Sequence, residues 1–428
     1  MLLIGNGRLV TRDPENPFIT DGAVVTQDNV IKDVGTTKEM KKLYPDAEFV
    51  DAKGKVIMPA FINMHEHIYS AMARGLSING YHPHGLIGIL DGQWWKIDRN
   101  LTNEATRQSA RVTYLDSIKN GVTTVFDHHA SFGEIHDSLF AIGDAAEELG
   151  VRTCLCYEIS DRDGMEKSHE AVKENAAWIK HALADDSDMV AGMMGMHAQF
   201  TISDETFELA AENKPDEVGY HIHVAEGIED LHDCLKKHGK RIVDRLMDFN
   251  ILGEKTLLAH CIYINPHEMD LIRDTNTMVV HNPESNMGNA VGCPKVLAMY
   301  KKGILMTKET LALMIDHTCL KASATKKDIE ELCSQAKDQK FASVCVNSAR
   351  VTQAYAILSE TQVKVCTVVG FPLGAQSTAA KVFEAVHAIQ SGALEIDMVI
   401  SVGHVKDKDW DYVEHDILSV VKASKEEA

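Results

Sequence analysis

Residues 303–321 read GILMTKETLALMIDHTCLK, and this stretch decides how the chain is organised. Residues 303–306 (GILM) are typical of the start of a buried strand, 307–313 (TKETLAL) of the opening of a helix, and 314–321 (MIDHTCLK) of a second strand running into a loop. A single continuous fold would not begin its strand–helix pattern again so abruptly at this point. We therefore expect two different proteins, joined at or beside Met306.

The whole chain is long and acidic. Its 428 residues suggest two or three domains, and 43 basic against 63 acidic residues give a net charge of −20. That charge argues against nucleic acids and anionic membranes as partners. No long apolar run and no signal peptide are present, and the nine cysteines are scattered. We expect a cytoplasmic protein with reduced thiols.

Before the junction the predicted pattern of secondary structure changes once. Residues 1–57 show short strands and turns typical of β-hairpins. From Val56 onward, seven apolar strands alternate with amphipathic helices, which predicts a parallel α/β sheet and, with this many units, a β/α barrel. The strand sequences are IMPAFINMHEH, VTTVFDHH, VRTCLCYEI, VAGMMGMHA, GYHIHVAE, TLLAHCIYI and TMVVHNPES.

Histidines stand at the ends of six of these seven strands, where a β/α barrel carries its active site. His65 and His67 are two residues apart on one strand, so both rings point to the same side and can bind one ion. His223 could be a third ligand. Glu226 would lie nearby to take and return a proton, and His260 could hydrogen-bond a substrate oxygen or the attacking water.

These motifs resemble the amidohydrolase superfamily, in particular the ATZ/TRZ-type chlorohydrolases and deaminases and the SsnA-type aminohydrolases. The resemblance covers residues up to about Leu305 and implies hydrolysis of a C–N bond by metal-activated water, often deamination of a nitrogen heterocycle. It implies one divalent metal, zinc or iron, on His65, His67 and His223, with Glu226 as proton shuttle and His260 at the attacked centre. The substrate-binding residues that it implies are His197, Trp94, Trp95 and Asn286.

The chain departs from this family at the eighth strand. There the family carries a metal-binding aspartate in a GTDG-like motif, whereas here the sequence after KKGILM becomes TKETLAL. The strands that complete the family's small β-domain also have no counterpart. We expect the activity to be impaired by this truncation. An alternative repair would place the strand LALMIDHT in the vacant position and bring Asp316 or His317 to the metal.

After the junction, MIDHTCLK, FASVCVN, TVVGFPLGAQST and EIDMVISVG resemble the first half of deoxyribose-phosphate aldolase, a class I aldolase with a β/α barrel. The resemblance makes Asp397 the proton-relay aspartate and places Cys345, Lys321 and the loop 370–374 around a pocket. The family's imine-forming lysine belongs to a KTSTG-like motif that this sequence lacks. Without such an amine, class I aldol chemistry cannot proceed.

The sequence thus predicts an α/β protein in three parts. Residues 1–57 form a partial β-domain, 58–305 a truncated metal-dependent hydrolase barrel that lacks the end of strand 8, and 306–428 a half barrel of the class I aldolase type. We expect a metal-dependent aminohydrolase acting on a small-molecule substrate. An aldolase-type lyase, a non-catalytic chimera and a homo-oligomer all remain open.

Overall fold

The computed structural model of the chain describes residues 1–13, 15–28, 30–76, 78, 80–304, 316–339 and 341–427. The chain divides into two compact units, residues 1–304 and residues 305–428. Separate buried apolar clusters support each unit. Each unit is described below by itself.

The first unit begins with a five-stranded sheet in the order β3-β2-β1-β4, with β5 paired to β1. Its strands are β1 (Leu2–Val10), β2 (Phe18–Gln27), β3 (Val30–Thr36), β4 (Glu48–Asp51) and β5 (Val56–Ile57). The antiparallel pairs β1/β2 and β2/β3 are the hairpins predicted for residues 1–57. Leu3, Val25 and Met40 form a small buried core beneath this sheet.

The rest of the first unit is an arc of parallel strands. They are β6 (Phe61–Glu66), β7 (Val122–His129), β8 (Arg152–Tyr157), β9 (Val190–Gly192), β10 (Met194–Ala198), β11 (Tyr220–Val224), β12 (Leu257–His260) and β13 (Met278–Val280). They pair in the orders β6-β7-β8-β9 and β10-β11-β12-β13. Only Met193 separates β9 from β10, and its N–H donates to the carbonyl oxygen of Leu155 at 3.1 Å. The two short strands therefore act as one, and the arc confirms the seven predicted strands.

Helices connect these strands. The sequence marks both ends of the helix Asn103–Lys119. At its start the Thr102 side chain accepts a hydrogen bond from the N–H of Ala105, and Gly121, at φ 75°, follows its end. The α-helices of this unit are Thr37–Leu43, Gly85–Ile89, Trp95–Asp98, Asn103–Lys119, Ser138–Leu149, Met165–Leu183, Asp204–Asn213, Ile228–His238, Ile242–Asp248, Pro266–Asp274, Pro283–Gly288 and Val296–Lys301, with 3-10 helices at Ile68–Ala73, Asp161–Asp163 and Gln199–Thr201 and a π-helix at Leu90–Trp94.

The second unit is a four-stranded parallel sheet in the order β14-β15-β16-β17. This arrangement confirms the α/β half barrel predicted there. Its strands are β14 (Asp316–Cys319), β15 (Ser343–Val346), β16 (Lys364–Val369) and β17 (Glu395–Met398), and its helices are Lys326–Gln339, Val351–Leu358, Thr378–Gln390, Val402–Asp407 and Trp410–Glu427, with a 3-10 helix at Ser348–Arg350. The predicted cap is present, since Thr325 Oγ1 accepts from the N–H of Asp328 at 3.3 Å.

The repair alternative falls partly on residues that the structure does not describe, because 305–315 lie outside the described ranges. Asp316 and His317 are described. They belong to β14 and pair with Ser343 and Val344 of the neighbouring strand in the second unit's own sheet. Asp316 also accepts a hydrogen bond from Ser343 Oγ at 2.7 Å. This strand is therefore used within the second unit.

Among the described residues, no helix has both the length and the apolar character that crossing a membrane requires.

Candidate metal centre

The histidines of the first unit gather where the parallel strands end. His65 and His67 lie at the end of β6, and His223 lies in β11. The ligand nitrogens of these three rings lie within 4.8 Å of one another. His67 Nε2 and His223 Nε2 are 3.1 Å apart. Residues 156 positions apart in the chain meet here because parallel strands bring their carboxyl ends to one edge.

Two of these rings are held in a definite protonation state by the backbone. His67 Nδ1 lies 2.7 Å from the carbonyl oxygen of His128, and His223 Nδ1 lies 2.9 Å from that of His197. A carbonyl oxygen can only accept, so each Nδ1 must carry the proton and donate it. In the neutral rings, both Nε2 atoms then present a lone pair to each other across 3.1 Å. Two lone pairs at that distance repel unless a cation lies between them.

The ring of His65 also has its proton on Nδ1, but here side chains rather than the backbone determine this. Cys156 donates its S–H to the carbonyl oxygen of Asp127 at 3.3 Å, which leaves its sulfur free to accept from His221 Nδ1 at 3.7 Å. His221 Nε2 then accepts from His65 Nδ1 at 2.9 Å. His65 Nε2 is buried and has no hydrogen-bond partner. All three rings thus offer an unprotonated Nε2, the form in which histidine binds a metal.

Burial keeps these rings neutral. It lowers the pKa of His67 to about 4, with the neighbouring His128 acting in the same direction. Burial and the surrounding imidazoles lower the pKa of His65 and of His223 well below the ordinary value. An unpartnered buried nitrogen, opposed lone pairs and neutral rings are the properties of a metal site, so the residues present fit a divalent ion.

Glu226 and His260 face each other beside these rings. Glu226 Oε2 lies 3.5 Å from His260 Nε2, and its other oxygen accepts from Asn289 Nδ2 at 3.1 Å. His260 Nδ1 lies 2.7 Å from Asn286 Oδ1. The predicted substrate-binding residue Asn286 is thus a buried partner that orients His260. Sequence spacing alone could not show this contact, because Asn286 lies on a separate helix, Pro283–Gly288.

The backbone is unusual at both of these strand ends. Ala225 has φ 50°, and His260 and Cys261 have φ 73° and 51°. Side chains rarely adopt this left-handed region, and such residues gather at functional sites. The N–H of Cys261 donates to the carbonyl oxygen of Val224 at 2.9 Å, so the two turns support each other. They place Glu226 and His260 at neighbouring strand ends.

The remaining predicted pocket residues separate into two groups. His197 is buried, and its ring lies 6.0 Å from that of Trp95, whose Nε1 is buried without a partner. Trp94 instead packs edge-on against Tyr69 at 6.3 Å and lines a separate depression with Glu66. Adjacent tryptophans therefore face different surroundings, because the chain is helical there and neighbouring side chains diverge.

Sequence reasoning missed Glu158. It directly follows β8, is 4% exposed, and its oxygens lie 3.4 Å from His128 Nδ1 and 3.9 Å from His197 Nε2. Burial would raise the pKa of its carboxyl, but the neighbouring His197, His128 and Arg162 outweigh burial and lower the pKa to about 2. The available signal was its position at a strand end in VRTCLCYEI, the same signal that identified the histidines.

Asp397 belongs to the second unit, where it is exposed in β17. It lines a cavity of about 540 Å³ together with Asp316, Cys345 and Cys366. The predicted pocket residue Cys345 is therefore in the same cavity as Asp397. Burial and Cys345 together raise the pKa of Cys366, and Cys345 is the larger cause.

Comparison with known proteins finds two families. The sequence model of the amidohydrolase family matches residues 56–362, and that of the DeoC/LacD family aldolases matches residues 310–428. The 5'-deoxyadenosine deaminase of Methanococcoides burtonii is 29% identical over 303 residues, which are 71% of this chain and 66% of that protein. The deoxyribose-phosphate aldolase of Thermoanaerobacter sp. (strain X514) is 56% identical over 115 residues, which are 27% of this chain and 52% of that protein.

Solved structures resemble the first unit in fold. The zinc complex of atrazine chlorohydrolase TrzN from Arthrobacter aurescens TC1 has a TM-score of 0.61 at 21% identity, covering 71% of this chain and 70% of that one. Guanine deaminase from C. acetobutylicum with bound guanine has a TM-score of 0.62 at 19% identity, covering 71% and 72%. The chain spans about half the length of the curated aldolases and about two thirds of the curated deaminases that it matches.

Proposed function

Because the chain belongs to the amidohydrolase family, we propose that its first unit is a metal-dependent aminohydrolase that deaminates a nitrogen heterocycle of small-molecule size. The observation that carries this proposal is the convergence of three unprotonated Nε2 atoms, from His65, His67 and His223. The 5'-deoxyadenosine deaminase relative supports a small nitrogen-rich substrate.

We assign His65, His67 and His223 to one divalent ion, zinc or iron. Three neutral imidazoles suit either metal, and the donated Nδ1 protons fix the rings toward the ion. When bound, the ion supplies Lewis acidity, which makes water a usable nucleophile at neutral pH. The protein's own part is to hold the reacting groups and to move protons.

Glu226 is the proton carrier in this proposal. Its Oε2 takes a proton from the attacking water and delivers it to the leaving nitrogen, and Asn289 keeps the other oxygen in place. His260 Nε2 faces the same space, while Asn286 retains the proton on Nδ1. With the proton on Nδ1, Nε2 of the neutral ring can accept a hydrogen bond from the attacking water. The two left-handed turns at Ala225 and His260 hold both groups at the reacting position.

His197 and Trp95 are the pocket residues with the strongest support. Their rings contact each other near the metal-binding histidines, and Trp95 has a buried N–H available for a ligand acceptor. A flat aromatic heterocycle can pack against Trp95 and hydrogen-bond its N–H. Trp94 faces a separate depression, so we give it a lesser part in binding.

The test combines metal analysis with ammonia release. Purified protein would be reconstituted with zinc or with ferrous iron and incubated with 5'-deoxyadenosine, adenosine and guanine. We expect metal binding and measurable ammonia release, with kcat well below the roughly 10 s⁻¹ typical of enzymes because of the truncation. His223→Ala should lose both, whereas His136→Ala, whose side chain is 89% exposed, should lose neither. Wild-type protein that binds metal but releases no ammonia from any of a broad set of amino-heterocycles would contradict the proposed deamination.

An aldolase-type lyase remains the second candidate, since the second unit matches that family and has a cavity lined by Asp397. Its buried lysine, Lys381, is 2.6 Å from Asp416 Oδ2, and a lysine in such an ion pair is a poor nucleophile. We expect no covalent adduct when the chain is treated with acetaldehyde and borohydride. A trapped lysine adduct, found by mass spectrometry, would instead support the lyase.

A further inference from the structure

Glu158 is a buried carboxylate, and the two histidine rings beside it, those of His128 and His197, donate no hydrogen bond to it. His128 Nε2 lies 3.0 Å from the carbonyl oxygen of Met196 and 3.2 Å from that of His221, so Nε2 carries the proton in the neutral ring. Its Nδ1, which faces Glu158 at 3.4 Å, is then a lone pair. This nitrogen is fully buried and has no hydrogen-bond partner.

The other ring beside Glu158 is arranged in the same way. Thr201 donates its hydroxyl proton to the carbonyl oxygen of Ala198 at 3.0 Å, so its oxygen accepts from His197 Nδ1 at 2.8 Å. His197 Nε2 therefore also turns a lone pair toward Glu158, at 3.9 Å. A carboxylate and two ring nitrogens thus meet as electron-rich groups. Arg162 acts on Glu158 from nearby, but its guanidinium is already paired with Asp98, so the buried arrangement favours a further positive charge.

Two of the three metal-binding rings, those of His67 and His223, are in reach of the same carboxylate. One Glu158 oxygen lies within 4.8 Å of ligand nitrogens of His67 and His128, and Glu158 likewise lies within 4.8 Å of His197 and His223. Among the described residues, Glu158 is the carboxylate in these metal-competent groups, whereas Glu226 belongs to none of them. Three neutral imidazoles carry no charge to balance a buried dication, and Glu158 supplies one.

We propose that Glu158 is the anionic ligand of the divalent ion held by His65, His67 and His223. This inference rests on the proposed metal site, but it does not depend on deamination. The matched ligand set is three neutral imidazole nitrogens and one carboxylate oxygen, which suits zinc or ferrous iron. In this arrangement His128 and His197 flank the carboxylate.

The experiment measures zinc affinity by competition with a chromogenic chelator, using the full chain. The variants are Glu158→Gln, which keeps the shape and removes the charge, and Glu158→Asp, which keeps the charge and withdraws the oxygens. The matched control is Glu174→Gln: Glu174 is also 4% exposed, but it accepts from the backbone N–H groups of Asp137 and Leu139. We expect Glu158→Gln to weaken zinc binding by at least about tenfold, Glu158→Asp to lie between, and the control to change it less than twofold.

Equal zinc affinity in wild type and Glu158→Gln would overturn the inference, and Glu158 would then be only the partner of a protonated histidine. If Glu158→Gln does not fold, the cobalt(II) form decides: a changed visible spectrum in Glu158→Asp supports ligation, and identical spectra refute it. The two proposals fail separately. Protein that binds zinc through Glu158 without deaminating any heterocycle contradicts the proposed function alone, whereas wild type that binds no zinc contradicts both.

Discussion

At the scale of single residues, the position of each ring proton decides what the site can bind. A histidine offers a metal only the nitrogen that has lost its proton, and the protein chooses that nitrogen through the partner of the other one. For His67 and His223 the partner is a backbone carbonyl, which can never donate. The choice is therefore made by the strands, since the carbonyls belong to neighbouring strand ends.

In His260 a side chain, that of Asn286, determines which ring nitrogen carries the proton, and this dependence can be tested. Asn286→Ala removes the acceptor at 2.7 Å from His260 Nδ1, so the ring can rotate or change tautomer. We expect kcat for ammonia release to fall roughly 10- to 100-fold, with zinc affinity unchanged. Zinc titration and steady-state kinetics of the same preparations measure both.

Asn289→Ala is the companion variant, because Asn289 contacts Glu226 rather than His260. It should also slow turnover without changing zinc binding, because Glu226 loses the group that holds its other oxygen in place. A loss of zinc from Asn286→Ala would contradict the positioning role given to Asn286.

Part of this geometry could be predicted from the sequence. Alternation along a strand placed His65 and His67 on one side, and the structure brings both to His223. Glu158 could not be predicted with the same ease, because one carboxylate after a strand is common and its meaning depends on the rings across the sheet. The different surroundings of Trp94 and Trp95 could not be predicted either, since packing determines the helical turn that directs their side chains apart.

At the scale of elements, β8 and β10 approach each other closely at Gly195. A side chain on Gly195 would collide with the carbonyl oxygen of Tyr157 and lie 2.9 Å from Cys156 Sγ. The Gly195 N–H also donates to Asn175 Oδ1 at 3.2 Å. This position therefore sets how closely β10, which ends in His197 and Ala198, approaches β8, which precedes Glu158.

Gly195→Ala tests this approach. We expect the free energy of unfolding to fall by about 1–3 kcal/mol through overpacking, and zinc affinity to fall with it because Glu158 and His197 are displaced. Urea unfolding and zinc titration are the measurements. Gly253→Ala is the control, since a Cβ there meets no atom within 4 Å. Equal effects of the two substitutions would show that the β8–β10 contact is not limiting.

The strand–helix alternation predicted these elements well because the central strands β8, β10, β11 and β12 are almost wholly buried, and such strands read as apolar runs. The division of the fourth strand at Met193 was not predictable, since VAGMMGMHA is continuous in sequence. Its interruption arises from pairing with two neighbours in different registers. The eighth strand, expected to break off near Met306, falls on residues outside the described ranges.

At the scale of the whole molecule, the chain contains two units with separate apolar cores. We propose the boundaries 1–57, 58–305 and 306–428 for its parts. In calorimetry we expect two unfolding transitions, and a zinc concentration of 100 times Kd should stabilise one of them by about 2.7 kcal/mol. The His223→Ala variant should show the same two transitions without the shift. A zinc-induced shift of both transitions by equal amounts would contradict independent units.

Acidity should destabilise the metal-free first unit. Burial lowers the pKa of His129 to about 3 and of His197 to about 4, against about 6.5 in an unfolded chain. Between these limits the unfolded chain binds more protons, so stability is fully present above about pH 6.5 and falls as the pH drops toward 4. At pH 5 each of these two rings should lower the free energy of unfolding by about 2 kcal/mol.

Urea unfolding in the presence of a chelator, at pH 7.5 and pH 5, measures this effect. His129→Gln removes one titrating ring and should reduce the difference between the two pH values by about 2 kcal/mol. A substitution of the exposed His136 should leave the difference unchanged. A stability that is equal at both pH values would show that these rings are not held neutral in the folded chain.

His67 and His223 are 156 residues apart in the chain, and each is tied to the backbone of a neighbouring strand. An ion shared by the two rings would be a cross-link between the first strand of the arc and a strand well beyond its middle. Cross-links that close long loops restrict the unfolded chain strongly. Metal supply would then govern how long this unit survives proteolysis, in addition to whether it can react.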